Sequence, residues 1–188
     1  MRHLTPANGA RILFKLENEN PTGSMKDRMA LAMIETAEAD GRLAAGGTVV
    51  EYSTGSTGVA LSLVCAVKGH PLHIVSSDAF AQEKRDHMRL LGARLQIVKS
   101  EGRRMTAKLT RDMIDAARAI AADTNGFWTD QLNNADQVGA YHAMADEIWG
   151  QTEGRIDAAE QLHPGATVVT VMCDTGMKYL STYGQLPA

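Results

Sequence analysis

The stretch TVVEYSTGSTGVALSLVCAVKGHPLHIVSS, residues 48–77, carries the fold in miniature. It opens on a β-branched run (48–53), turns through two glycines, and continues into apolar residues at helical spacing (56–69). A second β-branched run follows at 72–77. Strand, helix and strand in this order and at these lengths form a βαβ unit, whose two strands are parallel and whose helix covers one face.

The same alternation extends in both directions. RILFKLE (11–17) reads as a strand, and SMKDRMALAMIETAEADG (24–41) as a helix with Ser24 as N-cap and Gly41 as stop. Downstream come a helix at 81–92, a strand at 94–99, a long amphipathic helix at 106–124 and a further helix at 140–152. ATVVTVMC (166–173) is apolar enough to predict a strand buried on both faces. The expected fold class is α/β, a mostly parallel sheet with flanking helices. Such sheets bind ligands at the carboxyl ends of their strands. That is where Lys26, the STGSTG turn and WTDQLNN fall.

The chain has 188 residues, a net charge of −3 and 44% apolar residues, which fits a globular protein of one domain or two small ones. The charge argues against nucleic acid or an anionic membrane as partner, and no apolar run reaches membrane-spanning length. Cys65 and Cys173 lie far apart, which points to a reduced, cytoplasmic chain without disulfide or zinc framework. His70 and His73 lack companions for a metal site and read as a turn and strand edge; Trp128 and Trp149 read as packing residues.

Two segments carry chemistry. In NPTGSMKDR (20–28), Lys26 sits in the first turn of the expected helix, beside Arg28. The positive helix end, the neighbouring cation and partial burial all favour an uncharged amine, suited to condensation with a carbonyl. The competing reading is a solvated lysine paired with Asp27 or Glu17. In EYSTGSTG (51–58), the hydroxyls of Ser53, Thr54, Ser56 and Thr57 surround Gly55 and Gly58 at a strand-to-helix turn, a cup for a carboxylate or phosphate. A capped turn without ligand is equally compatible. A dinucleotide site using Asp78 is a third reading, although Ser53 replaces the first glycine of that fingerprint.

KLENENPTGSMKDR, EYSTGSTGVALSLVCAVKGH, DQLNN with AYHAMADEIWGQTEGRIDA, and DTGMKYLST, in that order, resemble the cysteine synthase and cystathionine β-synthase family of fold-type-II pyridoxal 5'-phosphate (PLP) enzymes. The resemblance implies a tryptophan-synthase-β-like fold. Residues 27–139 would form the smaller domain with the carboxylate loop, and 1–26 with 140–188 an incomplete cofactor-side domain. It makes Lys26 the Schiff-base lysine and proton-transfer base. Ser53, Thr54, Gly55, Thr57 and Gln131 become the substrate-carboxylate site, and Ser56 the contact to the cofactor's ring hydroxyl. The implied reaction is β-replacement on an activated serine (O-acetylserine or O-phosphoserine) by a sulfur donor such as sulfide, yielding cysteine. The implied assembly is a homodimer.

Ser56 stands where the family usually has asparagine. The family's phosphate-binding loop and the strand before it find no counterpart between Ala158 and Thr167, and its NTPL-like motif none before Arg2. Two alternatives therefore stand beside the enzyme: a truncated, inactive remnant, and a nicotinamide-binding Rossmann-type domain.

Overall fold

The structure, a computed structural model, describes residues 10–156 and 166–175. The segment from Ala158 toward Thr167 in which the phosphate loop has no counterpart lies almost wholly outside them, as do the residues before Gly9. Strands are β1 (Arg11–Lys15), β2 (Val49–Tyr52), β3 (Leu72–Ser77), β4 (Arg94–Val98), β5 (Phe127–Trp128) and β6 (Thr167–Val171). Helices are α1 (Lys26–Ala39), α2 (Ser56–Lys68), α3 (Gln82–Leu90), α4 (Ala107–Thr124) and α5 (Gln137–Gln151).

Four strands form one parallel sheet in the order β4-β3-β2-β5. Period-two alternation sorts its side chains between two cores. Val49 and Ile74 face α1, α2 and α3, packing with Met33, Ile34, Leu61 and Met88. Their neighbours Val50 and Val75 face α4, packing with Leu109 and Met113. The quoted βαβ unit forms as read: helix α2 runs to Lys68, and Gly69 closes it in the left-handed conformation (φ 79°) that a glycine adopts without steric cost. Thr106 caps α4, its side chain accepting from the Leu109 N–H.

The chain leaves β2 for β3 and β4 on one side, then returns through α4 to place β5 on the other side of β2. Strand order therefore reverses at β2, and a crevice opens beyond the carboxyl ends of β2 and β5.

A second, two-stranded parallel sheet joins β1 to β6. The expected double burial of 166–173 is not met: within β6 only Thr167 is buried, and Thr170 is exposed. Among the described residues β6 pairs only with β1, so nothing on its other edge covers it. Beyond β6 the backbone bridges back antiparallel, Asp174 opposite Ser24, with Met25 N–H donating to the Cys173 carbonyl at 3.0 Å. This bridge holds Ser24 out of the helix, so Met25 takes the N-cap place expected of Ser24 and α1 starts at Lys26, one residue later. Ser24 still serves the helix start, its Oγ accepting from the Lys26 N–H at 3.3 Å.

Two smaller expectations also change. Trp149 is 60% exposed rather than packed, because α5 has no buried residue. Phe127–Trp128 is a strand too short for its own period to announce.

Candidate active site

A cavity of about 380 Å3 sits at the strand-order reversal. Its lining brings together the site residues that the family resemblance implied: Lys26, Ser53, Thr54, Gly55, Ser56, Thr57 and Gln131. It adds Ser24, Met25, Lys84, Cys173 and Asp174.

Lys26 reaches this wall because its alternatives are taken. The Asp27 carboxylate is occupied by Thr22, accepting from its N–H at 2.7 Å and from its hydroxyl, which folds the Pro-Thr-Gly-Ser turn. Buried Glu17 is held by Arg28, at 2.7 Å from Nε and 3.0 Å from the guanidinium tip, and by Asn20. The solvated pairing of Lys26 with Asp27 or Glu17 is thereby excluded. Instead the Lys26 Nζ donates to the Tyr141 hydroxyl of α5 at 3.3 Å.

Arg28 plays a different part from the one expected. It grips Glu17 and, at 2.8 Å twice, Glu147, so its charge is matched by two carboxylates rather than directed at Lys26. Hydrogen bonds from Arg28 and Lys15 lower the Glu147 carboxyl to about 2. Burial would raise Glu17, but the bonds from Arg28 and Asn20 outweigh it and hold that carboxyl below its ordinary range. The cluster ties β1, α1 and α5 together directly behind Lys26.

The 53–57 loop follows β2. Ser53 is buried and its hydroxyl turns inward, accepting from the Gly58 N–H at 2.8 Å and the Gly55 N–H at 3.2 Å. It braces the loop from beneath. Thr54 is exposed and Thr57 buried, and the first-turn N–H groups of α2 lack acceptors within their own helix, as at any helix start. Gly58 is required where it stands: a Cβ there would lie 2.9 Å from the Met88 sulfur and 3.0 Å from Ser53 Cβ.

Gln131 arrives from β5 on a loop anchored by Glu51. This wholly buried carboxyl accepts from the Thr129 hydroxyl at 2.5 Å, the Gln131 N–H at 2.9 Å and the Tyr52 N–H at 2.8 Å. Burial raises its pKa to about 7, against the pull of those three donors. The Gln131 side chain donates to the Tyr52 carbonyl at 3.0 Å.

Ser56 is bonded to two charged residues of the cavity wall. Its hydroxyl donates to Asp174 in a short hydrogen bond and accepts from Lys84 Nζ at 3.2 Å. A serine carries one proton, and here it goes to Asp174. Lys84, Asp174 and Tyr141 escaped the sequence reading. Lys84 lies in a charged helical run, and only the fold sets it over Gly55.

Asp78 belongs elsewhere. It accepts from the N–H and hydroxyl of Ser100 at 2.8 and 2.9 Å, which lowers its pKa to about 2. It braces the turn after β4 and does not line the cavity, which removes the dinucleotide reading. His70 is buried between the Gly47 carbonyl and Glu38, at 3.0 and 2.9 Å, and burial lifts the Cys65 thiol to about 12. No helix among the described residues is long and apolar enough to cross a membrane.

Known proteins resemble this chain in sequence and in fold. The sequence profile described as "Pyridoxal-phosphate dependent enzyme" matches residues 1–176. Cysteine synthase B of Salmonella typhimurium is 40% identical over 157 residues, which are 83% of this chain and 50% of that protein. Cysteine synthase B of Pseudomonas syringae pv. syringae is 37% identical over 144 residues, 76% of this chain and 82% of that protein. Among solved structures, O-ureido-L-serine synthase superposes with a TM-score of 0.74 at 30% identity, covering 82% of this chain and 47% of that one. Cysteine synthase from Entamoeba histolytica does so with a TM-score of 0.71 at 33% identity, covering 81% and 44%. The chain thus spans about half the length of most of these relatives. On the profile match and these identities, the chain belongs to the family of pyridoxal-phosphate dependent enzymes.

Proposed function

We propose that this chain carries the catalytic lysine and substrate loop of a PLP-dependent β-replacement enzyme of the cysteine synthase kind. Its substrates would be an activated serine, O-acetylserine or O-phosphoserine, and sulfide, and its product cysteine. The observation that carries the reading is the single cavity that joins the Lys26 wall to the 53–57 loop.

The donor set fits the ring end of PLP: a primary amine for its aldehyde, loop hydroxyls for its oxygens, and a cavity of about 380 Å3, within the range of small-ligand pockets. When bound, PLP supplies the carbonyl with which an amine condenses and the electron sink for the bond changes that follow. The protein supplies orientation and proton transfer. Lys26 Nζ is the group that takes the substrate's α-proton, steadied by the Tyr141 hydroxyl at 3.3 Å. Thr54, Gly55, Thr57 and Gln131 receive the substrate carboxylate, while Ser53 keeps the loop in shape through its bonds to the Gly55 and Gly58 N–H groups. Fixing the carboxylate on one wall and the base on another sets the α-carbon between them, which is the main contribution a rigid site makes to such a step.

The same reading divides the protein into a smaller unit of residues 27–139 and a cofactor-side unit contributed by 1–26 and 140–188, with a homodimer in the cytoplasm as its working form. Addition of PLP to the purified chain should produce a visible absorption band that borohydride converts into a permanent adduct at Lys26, located by peptide mass spectrometry. Lys26→Ala should remove both. A wild-type protein that stays colourless with PLP, and makes no cysteine from O-acetylserine and sulfide, would overturn the reading in favour of an inactive remnant.

A further inference from the structure

Lys84 is the charged residue for which the proposed reaction has no explicit task. Its side chain is 7% exposed, although lysines are almost never buried without a reason. It lies along the loop backbone: a Cβ on Gly55 would fall 2.5 Å from Lys84 Cδ and 2.8 Å from Nζ. Glycine at 55 is therefore what admits this side chain. The Nζ donates to Ser56 at 3.2 Å and stands 3.8 Å from the Asp174 carboxylate. Burial lowers the Lys84 pKa, with Asp174 opposing.

The charges on the cavity wall decide what Lys84 does. Among the described residues, the charged ones that line it are Lys26, Lys84 and Asp174. An amine at Lys26 that accepts a proton must first be uncharged, so among the described lining residues Lys84 is then the cation that faces Asp174. Without it, an incoming anion would meet a carboxylate in a partly desolvated pocket, where like charges repel strongly. With it, the loop presents an ammonium beside the positive end of α2.

We propose that Lys84 is a further binding residue of this site, its ammonium receiving an anionic oxygen of the occupant. The inference rests on the reading above. That oxygen comes from one of two sources, the ring oxygen of PLP, for which Ser56 has no proton to give, or the carboxylate of the amino acid.

The test compares wild type with Lys84→Met, Lys84→Arg and Asp174→Asn. Without cofactor, the probe is sulfate, followed by NMR shifts of the 53–57 amides. With cofactor, PLP is titrated by absorbance and O-acetylserine by the spectral change it causes. Lys84→Met should weaken sulfate binding at least tenfold, Lys84→Arg should restore most of it, and Asp174→Asn should tighten it. A displaced absorption maximum with weaker PLP binding identifies the ring oxygen as the recipient; unchanged PLP with tenfold weaker amino-acid binding identifies the carboxylate. Sulfate and PLP affinities unchanged in Lys84→Met would overturn the inference. If Lys84→Met does not fold, unchanged affinities in Asp174→Asn would overturn it instead. A colourless wild type whose sulfate binding still depends on Lys84 refutes the cofactor reading alone.

Discussion

Replacing Glu51 with glutamine should reshape the pH dependence of stability, and the structure sets the sign and size. Burial raises the folded carboxyl from 4.5 to about 7. Between those values the unfolded chain has released this proton and the folded chain retains it. Stability from this group is thus fully present below pH 4.5 and declines as pH rises, until it is gone above about 7. At about 1.4 kcal/mol per pH unit, the decline amounts to roughly 3 kcal/mol. Glu51→Gln cannot titrate. Its amide oxygen can face Thr129 and Gln131, but its NH2 then opposes the Tyr52 N–H, leaving a buried donor unmatched at about 1–3 kcal/mol. The variant should be less stable than wild type near pH 4 and should match or surpass it near pH 8. Urea unfolding of both proteins at several pH values measures the difference, in which all other titrating groups cancel. Two parallel stability curves, offset by a constant, would refute the argument.

Arg28→Met removes the partner of a carboxylate that is 1% exposed, Glu17, and should cost on the order of 3 kcal/mol by urea denaturation, with an added Glu17→Gln change recovering much of the loss. Gly58→Ala pushes a methyl group to 2.9 Å from the wholly buried Met88 and 3.0 Å from Ser53 Cβ, so overpacking should cost about 1–3 kcal/mol. Because Ser53 braces the loop, the same variant should also weaken PLP or sulfate binding, read by titration; full stability with unchanged affinity would contradict the packing argument.

What could be read from the sequence was what lies close together in it. The alternation of residues 48–77 sufficed for the parallel sheet, since hydrophobic period is a local property and β2, α2 and β3 each express it. Lys26 and the 53–57 loop were legible because turn chemistry and the reactive side chain sit within a few residues of each other. Lys84 was not, since a charged residue on a short amphipathic helix looks the same whether it meets solvent or a loop glycine. The bond of Ser56 to Asp174 was not legible for a related reason: the two lie 118 residues apart. The apolar run at 167–171 announced a strand correctly, but burial depends on how many neighbours a strand has, which no run of residues encodes about itself.

The bridge between Ser24 and Asp174 has a consequence for biosynthesis. The Lys26 wall is finished by residues about 150 positions downstream, Ser24 Oγ donating to the Cys173 carbonyl across a separation of 149. A ribosome delivers the hydroxyl-rich bowl and the lysine early, and the piece that seats them late, after closure of a long loop. A nascent chain halted after α5 would own the reactive amine without the backbone rail that aims it. Competence for chemistry would then arrive only once β6 and the bridge have followed α5, in one step.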